Sequence, residues 1–170
     1  MRELLGRERQ RRARNRPAVR AGREARVSNA VQDVRAFTVL GLAARASNAA
    51  PEAIGALWGQ VYAAGGAQSI AARLDDTIYS VYCEYEGDHT NPYTVVIGCA
   101  VAPDAATFEG MRKIHVDAGR FAVFPATGEL PQSVMAAWAE VWRTPLERRY
   151  QADFERYENN SSATIYVGVQ

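Results

Sequence analysis

Apolar residues in this chain fall into runs of two kinds. Over residues 36–46, around FTVLGL, branched apolar side chains follow one another almost without interruption, which predicts a strand. Pro51 then opens a stretch in which Ile54, Leu57, Trp58 and Val61 recur at i, i+3, i+4 and i+7, one apolar face of a helix that Gly65 and Gly66 close. TIYSVYCEYE (residues 77–86) and YTVVIGCAVA (residues 93–102) predict two more strands, and GDHTNP between them has the composition of a hairpin loop. The order is β-α-β-β.

The second half repeats it. Pro131, Val134, Ala136, Trp138, Glu140, Val141 and Trp142 align with Pro51, Ile54, Ala56, Trp58, Gln60, Val61 and Tyr62. A strand, RFAVFPATG (residues 120–128), precedes this helix, and DFERYE (residues 153–158) and ATIYVGV (residues 163–169) follow it, with Gly168 matching Gly98. Residues 111–118 supply an extra strand or the crossover between halves. Two such units bury most surface as an α+β fold. It has one antiparallel sheet with pseudo-twofold symmetry, both helices on one face, the other face free, and a ligand cleft where the repeats (about 36–102 and 111–170) meet.

Charge divides the chain differently. Residues 1–35 carry eleven Arg against four acids, whereas the rest is acidic in excess, so the total of +1 conceals two unlike parts. The first part lacks the apolar residues for a core and reads as an Arg-rich tail ahead of a domain at 36–170. Its readings are a linker, an overcalled gene start, or a nucleic-acid arm acting through phosphate counterion release. A mitochondrial presequence is a weaker one, given the four acids. With 48% hydrophobic residues, no apolar run long enough for a membrane helix, and Cys83 and Cys99 inside strand-like runs, the expectation is a cytoplasmic protein with reduced thiols.

Strand alternation nominates the chemistry. With Phe154 facing a core, Asp153, Glu155 and Tyr157 share the opposite face; with Val81, Cys83 and Tyr85 inward, Tyr82, Glu84 and Glu86 point the other way. A carboxylate between tyrosines on a free sheet face suits a lipophilic cation, through cation-π contacts and countercharge. Ordinary exposed strand acids beside cross-strand aromatics give the same pattern.

The ordered set FTVLGL, LWGQVY, VYCEYEGDHTNPYTVVIG, GRFAVFPATGELPQSVMAAWAEVW, DFERYE and IYVGV resembles the GyrI-like small-molecule-binding domain over residues 36–169. That family includes effector-binding modules of AraC-type and MerR-type regulators and stand-alone integron cassette proteins. The resemblance implies a twofold β-α-β-β fold whose cleft binds amphipathic, often cationic, aromatic compounds. It puts the acidic pocket residue at Glu155 and aromatic pocket positions at Tyr82, Trp58, Trp142, Phe121 and Tyr157. Trp58 and Trp138, at equivalent repeat positions, are equally readable as core. No DNA-binding domain precedes this region in the sequence, unlike in the regulators. The implied functions are drug sequestration or effector sensing; alternatively, hydrolysis of strained, cyclopropane-bearing DNA-alkylating compounds, with Glu155 and Tyr82 as catalytic pair; or binding to gyrase or another protein.

Other chemistries lack their signatures. The chain has no Gly-Xaa-Ser-Xaa-Gly elbow, phosphate-binding glycine loop or dinucleotide fingerprint, so no cofactor is expected. Neither His89 nor His115 is spaced with other ligands as a metal site requires. Asp75 and Asp76 read as turn residues, and residues 159–162 as a hairpin tip.

Overall fold

The computed structural model describes residues 30–170; most of the arginine-rich tail lies outside them. The strands are β1 (Val31–Val34), β2 (Phe37–Ala46), β3 (Arg73–Cys83), β4 (Tyr93–Val101), β5 (Met111–Val116), β6 (Gly119–Thr127), β7 (Arg148–Asn159) and β8 (Ser162–Val169). The helices are α1 (Glu52–Ala63) and α2 (Gln132–Arg143). All eight strands form one antiparallel sheet in the order β1-β6-β8-β7-β3-β4-β2-β5. The two predicted units, β2-α1-β3-β4 and β6-α2-β7-β8, therefore meet at the β3–β7 pair, where Ser80 stands opposite Glu155 and Val81 opposite Phe154. The α+β sheet with two helices on one face is as the repeat predicts. The sheet itself starts earlier than expected, because β1, inside the stretch assigned to the tail, pairs with β6.

That pairing determines the sheet's shape. Flat, at about 4.8 Å per strand, β1 and β2 would stand roughly 30 Å apart, yet Arg35 and Ala36 alone join them, a reach of about 11 Å. Asp117 and Ala118 make the mirror-image connection from β5, which pairs with β2, to β6. The sheet must curl until its two ends approach each other. Phe37 on β2 meets Phe154 on β7 at 5.0 Å between ring centroids, Phe121 meets Phe154 at 5.3 Å, and Tyr166 stacks on Phe154 at 4.6 Å. The face expected to be free is thus the inside of the curl, filled by Val39, Val81, Cys83, Val96, Val116, Phe121 and Phe154.

The helices cover the convex face. Leu57 and Val61 of α1 pack on Leu40, Val95, Ile97 and Cys99; Val134, Ala137 and Val141 of α2 pack on Ala122, Phe124, Ile165 and Val167. One glycine pair lets the strands approach. Gly41 and Gly98 are register partners, and a Cβ on either would lie 2.0 or 1.9 Å from the carbonyl oxygen of Ile97 or Leu40. Cys83 and Cys99 are free and buried, burial pushing each thiol up to about 11. Among the described residues no helix is long and apolar enough to cross a membrane.

Candidate functional site

Between α1 and α2, above the β3–β7 junction, lies a cleft of about 1110 Å³. Its floor is built by strand alternation. Tyr82 and Glu155 point to the helix side because Val81 and Phe154 point into the curl. Tyr82 pairs with Val95 and Glu155 with Ile165, residues that stand at the same spacing before Gly98 and Gly168. Tyr82 and Glu155 thus hold equivalent places in the two repeats, one occupied by a donor and the other by an acceptor.

Glu155 is 2% exposed. Its Oε1 accepts hydrogen bonds from Tyr82 Oη at 2.7 Å and Trp138 Nε1 at 2.6 Å, and its Oε2 accepts one from Tyr157 Oη at 2.7 Å. All three donors are neutral. Burial raises the Glu155 carboxyl above its ordinary pKa, against the lowering effect of the hydrogen bonds from Trp138, Tyr157 and Tyr82. The hydroxyls move in the same direction: burial and then the neighbouring carboxylate push Tyr82 and Tyr157 well up, which keeps both protonated as donors. The other buried acid, Asp153, has a cation. Its Oδ2 accepts from Arg148 Nη2 and from Tyr85 Oη, each at 2.6 Å, while Oδ1 accepts from the Gly168 amide at 2.8 Å. Glu155 is therefore the buried carboxylate without a countercharge.

Aromatic rings wall the cleft. Trp58 meets Tyr157 edge-on at 5.2 Å, Tyr82 meets Trp138 at 5.2 Å, and Trp142 stacks on Trp138 at 6.3 Å. Tyr62, Met135 and Trp142, exposed by 68, 67 and 49%, stand at the mouth with Glu52, Asp76 and Glu158, of which Asp76 is paired with Arg73 and Glu158 with Arg156.

Of the residues nominated from sequence, Glu155, Tyr82, Tyr157, Trp58 and Trp142 come together here. Phe121 does not: it is 1% exposed inside the curl, against Phe154. The cleft also lies on the helix side, not on a free sheet face. Trp138 and Tyr85 line the cleft without having been nominated as pocket residues. Trp138, read as core or pocket alike, donates directly to Glu155; its one turn of separation from Trp142 was the available signal. Tyr85 was assigned to the face of Val81, but Glu84 takes φ 52, which breaks the alternation and turns Tyr85 into the cleft. Glu84 itself points away, to Arg112 and Thr94.

The sequence model of the family described as Cass2, integron-associated effector binding protein, matches residues 31–169. The chain belongs to the Cass2 family. A crystal structure of an integron cassette protein from the mobile metagenome of Vibrio cholerae is 31% identical, with a TM-score of 0.67 over 83% of this chain and 95% of that one. YobU of Bacillus subtilis (strain 168), which its name calls a candidate transcriptional regulator, is 28% identical over 152 residues, covering 81% of this chain and 94% of the relative. SAV2435, solved bound to tetraphenylphosphonium, shares the fold at 16% identity, with a TM-score of 0.69 over 83% and 93% of the two chains. The Cass2 match starts at β1, which makes β1 part of the family domain.

Proposed function

We propose that this Cass2-family protein binds hydrophobic organic cations of aromatic character in the cleft, with Glu155 as countercharge and Trp58, Trp138, Tyr82 and Tyr157 as walls. The observation that carries this reading is a deeply buried carboxylate held by three neutral donors, with no cation of its own, at the floor of an aromatic cleft. An ionised group in that setting is under-compensated, and a soft cation whose charge is spread over aromatic groups supplies the missing charge at low desolvation cost. The tetraphenylphosphonium of SAV2435 is a ligand of this chemical class in the same fold. The role is drug or effector binding in the cytoplasm.

The hydrogen-bond pattern favours binding over hydrolysis. A hydrolase built on Glu155 and Tyr82 needs the carboxylate free to draw a proton from water, but Tyr82 and two further donors already take three of its roughly four acceptor sites. The test is a tryptophan fluorescence titration of the full chain with tetraphenylphosphonium and with neutral triphenylphosphine oxide. Saturable quenching with one site, at least about tenfold tighter for the cation, is expected, and no saturable quenching by either compound counts against the reading. Incubating the protein with an excess of an electrophilic cyclopropane-bearing compound separates the alternatives, since a binder yields no product beyond one equivalent.

A further inference from the structure

The cleft has a second polar end that the cation site does not use. Arg148 lines the cleft and has a side chain only 6% exposed. Its Nη2 is committed to Asp153, its guanidinium carbon lies 4.5 Å from the Tyr150 ring centroid, and its buried Nε, like those of Arg149 and Arg156, has no hydrogen-bond partner. Asp153, by contrast, is fully engaged by Arg148, Tyr85 and the Gly168 amide. This end therefore holds a buried guanidinium whose hydrogen bond goes to Asp153 alone, with further donors on the fork, whereas the Glu155 end holds an unspent negative charge. His89 closes the end, stacked between Trp142 and Tyr150 at 6.5 and 6.3 Å, with Nδ1 3.3 Å from Tyr150 Oη.

The backbone is bent to build it. Among the described residues the only non-glycine positions with positive φ are Glu84 and Tyr150, both at 52°. The first turns Tyr85 onto Asp153. The second sits in the β7 bulge between Arg148 and Asp153, where register with β8 is interrupted. Such conformations are strained and persist where surrounding contacts enforce them, and bulges re-aim side chains. Both converge on the Arg148–Asp153–Tyr85 cluster.

We propose that the cleft is bipolar and that its ligand is two-ended, with a cationic aromatic centre at Glu155 and a carboxylate or carbonyl oxygen held by Arg148. This rests on the cation reading above and adds the second end. Asp153 and Glu155 are two residues apart on one strand face, about 7 Å, and Trp138 and Trp142, which mark the two ends, are 6.3 Å apart between centroids. The acceptor therefore lies about 7 Å or somewhat more from the cationic centre.

The probes are triphenylphosphonium cations carrying either a 4-carboxybutyl or a pentyl chain, identical but for the terminal acceptor, titrated into the full chain by calorimetry. The carboxylate probe is expected to bind about tenfold tighter, the scale of one charge-assisted hydrogen bond net of desolvation. In the double variant Arg148→Met/Asp153→Asn, which removes both members of the ion pair, that ratio falls to about one or inverts. In Arg148→Lys, which keeps a cation beside Asp153 but loses the guanidinium's fork of donors, it falls to a lesser degree; this variant stands in should the double variant melt below assay temperature. Equal or weaker binding of the carboxylate probe by the native protein overturns the proposal, as does a preference that survives in both variants. If neither probe binds, the cation reading fails with it; if only the pentyl probe binds, the cation reading stands and the bipolar cleft falls.

Discussion

At the scale of single residues, the site rests on the way Glu155 is solvated by the protein. Three neutral donors replace water, and no positive charge does. Because its folded-state pKa is raised, Glu155 contributes stability that is fully present below the unfolded carboxyl value, about 4.3, and lost as pH rises through the folded value. Glu155→Gln removes that loss. The variant's melting temperature is therefore expected to exceed the native one at neutral pH, with the gap closing as pH falls to about 4, as thermal melts across pH will register. On the proposed function cation binding is expected to have the opposite dependence, since the ligand favours the ionised form, so affinity weakens as pH falls through the same titration. Trp138→Phe keeps an aromatic wall but removes a donor that holds the carboxyl down, so the midpoint of that pH profile is expected to move upward. A midpoint that stays put would show that the indole N–H does not stabilise the carboxylate.

Legibility from sequence at this scale followed backbone regularity. Glu155, Tyr82 and Tyr157 were readable because β3 and β7 alternate regularly near their junction. Tyr85 and the Arg148 cluster were not, because they follow from a left-handed residue and a bulge that leave no periodic trace. Phe121 was nominated by the resemblance alone, without support from alternation, and it lies inside the curl against Phe154.

At the scale of elements, the β-α-β-β repeat was legible from helix periodicity and strand runs, and the aligned tryptophans fixed the correspondence of α1 and α2. The short β1 was hidden by its composition: Val31 and Val34 flank Gln32 and Asp33, too few residues for a pattern, and their pairing with β6 is a long-range event. The glycines separate packing from propensity. Gly41→Ala drives a methyl into the backbone of β4 and is expected to cost about 3 kcal/mol or more. Gly59→Ala, in α1 with nothing within 4 Å of the added carbon, is expected to stabilise by about 0.5–1 kcal/mol. Urea unfolding of the two variants measures both, and similar values would mean that the β2–β4 approach tolerates a side chain.

At the scale of the whole molecule, the curl and the pseudo-twofold axis explain where the cleft is. Curling fills the concave face with Phe37, Phe121, Phe154 and Tyr166, so the convex junction between the helices is where space remains. The two repeats bring equivalent positions face to face there, and their divergence, tyrosine in one and glutamate in the other, gives a symmetric fold an asymmetric cleft floor, a donor bonded to an acceptor. On the proposed function, the unpaired carboxylate and the aromatic walls act in one direction, toward soft organic cations.

The countercharge role of Glu155 is tested most directly by calorimetric titration of the native protein and Glu155→Gln with tetraphenylphosphonium and with triphenylphosphine oxide. The variant is expected to lose about thirtyfold more affinity for the cation than for the neutral compound, the scale of a lost buried charge pairing. Native-like tetraphenylphosphonium affinity in Glu155→Gln would contradict the assignment of Glu155 as the cation's partner.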